Sequence, residues 1–163
     1  MTDYVDAVIL GIHITGAAIW VGGVVALGVV SFGLRGPPLE DPARYSQALS
    51  RVGRRLAWVM WPALLVTVST GFYNLTWYLP GGFSELSTPE GTVLLEKVSL
   101  VAFVIVVAGL HTFYVSPLIR RRAARSLDAA SLRPLRQFNG ILGILALVGS
   151  IGILFLAALL AWV

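Results

Sequence analysis

The chain contains no cysteine. That excludes disulfides, thiolate metal sites, iron–sulfur clusters and the C-x-x-C-H attachment of a c-type haem. Methionine is limited to Met1 and Met60 and histidine to His13 and His111, so a metal path built from thioethers and imidazoles has few steps to use. Charge is sparse as well. Asp, Glu, Lys and Arg make up 12% of the 163 residues, about half the share found in a soluble globular domain.

What fills the space is apolar: 57% of the residues are hydrophobic, and the mean hydropathy is +0.84. The apolar residues fall into four runs, about 5–34, 56–79, 93–119 and 135–163. Each exceeds the roughly 20 residues that a helix needs to cross the hydrocarbon core of a bilayer. The expectation is an all-α integral membrane four-helix bundle that uses residues 1–163 as one domain, with no soluble domain or internal repeat. The chain's start is acidic (Asp3, Asp6) where a secretory signal has a basic region, and the first run is too long for such a signal. It is expected to be retained as a span.

Five of the twelve basic residues lie between Arg35 and Arg55 and six between Arg120 and Arg136, leaving only Lys97 elsewhere. The positive-inside rule places those two connections in the cytoplasm. The third connection, "YLPGGFSELSTPEGT", carries Glu85 and Glu90 and no basic residue, so it and both termini are assigned to the outer side of a multi-pass protein of the cell membrane. The sequence pI near 10.0 reflects arginines that flank spans, where anionic headgroups account for them; nucleic acid is not expected. Asp41 before Pro42 and Thr88 before Pro89 read as helix starts, and "SLRPLR" is a weaker start signal. Pro62 and Pro117 fall within spans as candidate kinks. Trp58, Trp61, Trp77, Tyr78 and Trp162 sit near span ends, as interfacial aromatics do.

The chemistry-bearing residues are few. "LGIHITGAAIWVGG" places His13, Gly16, Ala17, Trp20 and Gly23 on one side of the first helix. Ionisable groups inside a membrane usually face the bundle interior and serve a cofactor, pathway or relay; the small residues admit either a neighbouring helix or a flat macrocycle. In the third helix Lys97 and His111 are fourteen residues apart and share a face through Val101, Val104 and Ala108. In the second, Thr67, Thr70, Gly71 and Asn74 form a matching polar stripe. The fourth helix has no ionisable group within its span and reads as packing.

"HITGAAIWVGG", with its H-x6-W-x-G-G pattern, and "EKVSLVAFVIVVAGLHTFYVSP" resemble the first and third helices of the short, four-span members of the CopD (copper resistance protein D) family. These are in turn similar to HemJ-type protoporphyrinogen oxidases and to di-haem cytochrome b four-helix proteins. The resemblance implies a haem b bundle or a copper-handling protein, and carries onto His13, Trp20, Lys97 and His111. Imidazole serves either iron or copper, but the scarcity of soft donors leaves a copper path thinly equipped, so one or two haem b groups are the first expectation and copper the alternative. Electron transfer, with a quinone or a redox partner protein, is then the leading function; protoporphyrinogen oxidation and copper transport are the others, and a homo-oligomer is a further expected partner state. His13 is ten residues after Asp3 and His111 twenty-two after Pro89, an offset of about 18 Å between parallel helices. Two levels follow, an outer one with His13, Asn74 and Lys97, and an inner one with His111, Thr67 and Met60. Lys97 is open to pairing with a haem propionate, ligating iron or pairing with Glu96.

Overall fold

A computed structural model describes residues 2–33, 42–79, 81–125 and 131–162; within these, the side chains of 2–3, 32–33, 42–46, 76–78 and 83 lie outside the description. All the regular structure among them is helical: α1 (Thr2–Gly33), α2 (Pro42–Tyr78), a 3-10 turn (Gly82–Ser87), α3 (Pro89–Gly109), a π-helical turn (Leu110–Val115), α4 (Ser116–Ala124) and α5 (Arg133–Leu160). α3, the π turn and α4 make one continuous span. The four segments long and apolar enough to cross a membrane are Tyr4–Ser31, Gln47–Leu75, Pro89–Ala124 and Arg133–Leu160. The protein is an all-α membrane bundle of four spans.

The helices outrun the apolar runs that announced them. α2 begins at Pro42 and α4 continues to Ala124, because Arg and Ala are good helix formers and hydropathy does not register turns that leave the hydrocarbon. Thr88 caps α3 as expected: its side chain accepts from the Gly91 amide at 3.1 Å, with Pro89 in the first turn. Before it, the 3-10 turn lies so close to α3 that a Cβ at Gly91 would strike the Glu85 carbonyl oxygen. α5 starts after Leu132 with no side-chain cap. Asp41, the expected cap of α2, lies outside the described residues.

α1 packs chiefly on α2 and α3 on α5; α1 also touches α5 and so joins the two pairs, while α2 meets α3 only slightly. Small residues make these approaches close. A Cβ at Gly16 would collide with Thr67 Oγ1 and fall 2.9 Å from the Ala63 carbonyl, and one at Gly23 would fall 2.6 Å from Met60 Sδ. On the other pair, a Cβ at Gly149 would lie 2.5 Å from Val104 Cγ2. Gly16 and Gly23 therefore admit a neighbouring helix. On this line α2 takes the place that a macrocycle would need, with Thr67 against Gly16 and Met60 against Gly23, while the other side of Gly16 borders an open recess of about 550 Å³ between α1 and α2, lined also by Gly11, Thr15 and Val66.

The outward faces carry large apolar side chains, among them Leu65, Phe72, Val148 and Phe155. In a bilayer these meet lipid tails while the helices satisfy their own backbone groups. Trp58 and Trp162 are almost fully exposed, in keeping with an interfacial position. Trp61 differs from expectation. Its ring stacks edge-on against Trp20, with centroids 5.7 Å apart, and lies 4.7 Å from Phe113, so it joins the interior. Trp77 and Tyr78 have side chains outside the described set.

Candidate functional site

His13 on α1 turns toward α2. Its Nδ1 lies 2.9 Å from the Thr67 carbonyl oxygen and 3.1 Å from Thr70 Oγ1. A carbonyl only accepts, so Nδ1 must carry the proton and donate. The Thr70 hydroxyl is itself committed as a donor, to the Val66 carbonyl at 2.7 Å, which leaves its oxygen to accept from His13. In the neutral ring this forces one tautomer, with an unprotonated Nε2 whose lone pair has no hydrogen-bond partner among the described residues. Orientation of an imidazole by a backbone carbonyl at one nitrogen, with the other left open, is how metal-ligating histidines are held. Gly71 makes room for the ring: a Cβ there would fall 3.1 Å from His13 Cε1.

Around this imidazole the α2 stripe behaves as its spacing predicts. Thr67, Thr70 and Gly71 all meet His13, and Asn74, one turn further, is buried at 8% exposure with no partner for its Oδ1 among the described residues. Lys97 on α3 is half-buried and near enough for its charge to act on His13. It makes no ion pair among the described residues, and the expected alternative of pairing with Glu96 does not occur there. Thr67, which spacing assigned to the inner level beside His111, is instead the hydrogen-bond partner of His13. The depth estimate counted residues from the helix ends, and the unequal overhang of α2 shifts its register.

His111 sits in the π turn, half-buried and directed at α5, where its Nε2 lies 3.8 Å from the position a Cβ would take at Gly143. The wide turn has a local cause. Pro117 has no N–H for the Phe113 carbonyl and its ring crowds that oxygen, and the chain responds one turn earlier: the Ser116 amide bonds the His111 carbonyl, five residues back. Ser116 Oγ then reaches Asn139 Oδ1 on α5 at 3.3 Å. Such turns occur often at functional sites. A proline six residues after a histidine was the signal in the sequence, read there only as a kink.

Between the two imidazoles lies a layer that sequence reasoning did not assemble. Trp20, 5% exposed, donates from its indole nitrogen to Ser150 Oγ at 3.2 Å, and Ser150 is fully buried on α5. Trp61 and Met60 pack into the same core, Met60 with its thioether against Gly23. His13 is seven residues from Trp20, about 10 Å along α1. Ser150 is in turn seven residues beyond Gly143, which faces His111. The histidines thus occupy two depths with Trp20 between them, so they do not meet across one ion. Nothing in the sequence singles out Ser150, an uncharged residue in an otherwise apolar span. Among the described residues no three His, Cys, Asp or Glu side chains gather as a metal cage.

Four apolar spans with an oriented imidazole inside them define an integral membrane protein with a polar interior site. The family model described as CopD, Copper resistance protein D, matches residues 50–160, most of the chain, and the protein belongs to that family. The matched region begins within α2. It includes Met60, Asn74, Lys97 and His111 and leaves out His13 and Trp20. Comparison with curated proteins and with solved structures finds no match.

Proposed function

We propose that this protein handles copper within the cell membrane, taking the ion on Nε2 of His13. The observation that carries the reading is the forced tautomer: Thr67 and Thr70 hold Nδ1 and leave a neutral imidazole lone pair available, in a chain whose family is described as copper resistance protein D. Copper accepts imidazole readily. His111 is a second, separate imidazole station at the other depth, and Trp20 divides the two. Copper here is cargo, and the role is transport or resistance.

Lys97 favours a second reading, haem b. A cation whose field reaches His13 opposes a bare copper ion but suits an acidic propionate. Of the features a haem needs, the unprotonated Nε2 and Lys97 fit; the line of Gly16 and Gly23 does not, since α2 fills it. When bound, haem would supply one-electron redox chemistry, and His13 and Lys97 are the residues that would hold it. A quinone or a redox protein would then be the electron partner.

One preparation separates these. The protein purified in detergent is analysed for iron and by pyridine haemochrome, then titrated with Cu(I) against a chromophoric chelator. Copper binding that is lost in His13→Ala, in a colourless preparation, is the expected result. A red protein with stoichiometric iron and no chelator competition would replace the copper reading by the haem one. Lys97→Gln gives an independent check, because removing a neighbouring positive charge raises Cu(I) affinity if copper sits at His13.

A further inference from the structure

We propose that the arginine-rich end of the bundle binds an anionic phospholipid, its phosphate held between Arg54 of α2 and Arg120 and Arg121 of α4. The two connections at this end contain eleven arginines against three carboxylates, Glu40, Asp41 and Asp128, so one-to-one pairing would leave eight of the cations over. Trp61 of α2 packs on Phe113 with ring centroids 4.7 Å apart, and Arg54 and Arg120 each lie seven residues from that pair toward the same end, about 10 Å along their helices. Two helices thus bring their cations together there, with Arg121 adding to the same field. Like charges that the fold brings together call for a counter-anion between them. On α5 the Nε of Arg136 is sealed from solvent and has no acceptor among the described residues, a second guanidinium site at this end short of an oxygen ligand.

Shape selects a lipid over a free ion. Beside these arginines the π turn and Pro117 leave a notch of about 150 Å³ lined by Phe113, Tyr114, Pro117, Leu118 and Arg121. Phe113 and Tyr114 are exposed, and Arg121 stands at the notch's charged end. An apolar recess with a guanidinium above it matches the junction of headgroup and acyl chain. A phosphodiester accepts paired N–H donors from guanidinium, and the membrane holds it at this depth, which no free anion shares.

The test uses the full chain purified in a neutral detergent, titrated with phosphatidylglycerol or phosphatidylcholine while bound lipid is counted by native mass spectrometry. A saturating phosphatidylglycerol adduct that phosphatidylcholine does not displace is expected. The paired variant Arg54→Gln/Arg120→Gln should weaken it by about 30-fold, roughly five-fold for each arginine removed, while Arg125→Gln leaves it unchanged. Equal retention of the two lipids by the unmodified chain overturns the proposal, and needs no variant to fold. Displacement of phosphatidylglycerol by millimolar inorganic phosphate would overturn it as well, since the site would then be one for the free anion.

Discussion

At the scale of single residues, the two glycines in "WVGG" behave oppositely. A Cβ at Gly23 meets Met60, whereas one at Gly22 meets nothing within 4 Å. Gly23→Leu should therefore cost about 1–3 kcal/mol by forcing α1 from α2, and Gly22→Leu should be close to neutral; reversible unfolding in mixed micelles measures both. A similar asymmetry holds for Trp20 and Ser150. A serine hydroxyl that loses its partner can turn to its own helix, as Thr67 does toward the Ala63 carbonyl. The indole N–H has no such recourse. Ser150→Ala should thus destabilise by about 1–3 kcal/mol, the cost of a buried unpaired donor. At His13, Thr70→Val removes one of two acceptors and leaves the Thr67 carbonyl. Metal affinity, measured by chelator competition, is expected to fall by no more than about ten-fold, the low end for a group that orients a ligand, and to vanish in His13→Ala.

At the scale of elements, the π turn is the feature most open to a single change. Pro117→Ala supplies the missing N–H and removes the ring that crowds Phe113, so an ordinary α-helix can continue through Leu110–Val115. One residue then leaves the bulge, and everything on one side of it rotates by about 100° relative to the other. His111 can no longer face Gly143 while Val104 still packs on Gly149. The absence of native cysteine makes the measurement clean. Spin labels at introduced cysteines in α4 and α5 should report a changed interhelical distance in Pro117→Ala, and an unchanged distance would mean that tertiary packing, not Pro117, sets the turn.

At the scale of the whole molecule, the arginines predict the orientation. Single cysteines at Ser84 and at Ser131 should label oppositely in intact cells, Ser84 accessible and Ser131 protected. Inverted labelling would place the termini and the 3-10 turn in the cytoplasm. The four spans are legible in the sequence because bilayer thickness sets a length that composition alone reveals, and the start of α3 and the unbroken helix from Pro42 are legible from their proline and capping signals. The face of α2 that meets His13 was legible too, from the i, i+3, i+4, i+7 spacing. Its depth was not. Residue counts from helix ends assume equal overhangs, and Thr67 was placed one level too far in.

Apolar length, charge distribution and helical period are properties of one segment at a time, and they determined four spans, the arginine-rich end and inward positions for His13, Lys97 and His111. Which segment each one faces depends on several chains of contact at once, and only the tertiary structure decided it. It gave the glycines of α1 to Met60 and Thr67, drew Trp61 into the interior beside Trp20, and found in Ser150 the partner for a buried indole. It also chose the tautomer of His13. A histidine's spacing says which way it points, but the proton's place on the ring is decided by the neighbouring atom, here a carbonyl fifty-four positions away along the chain.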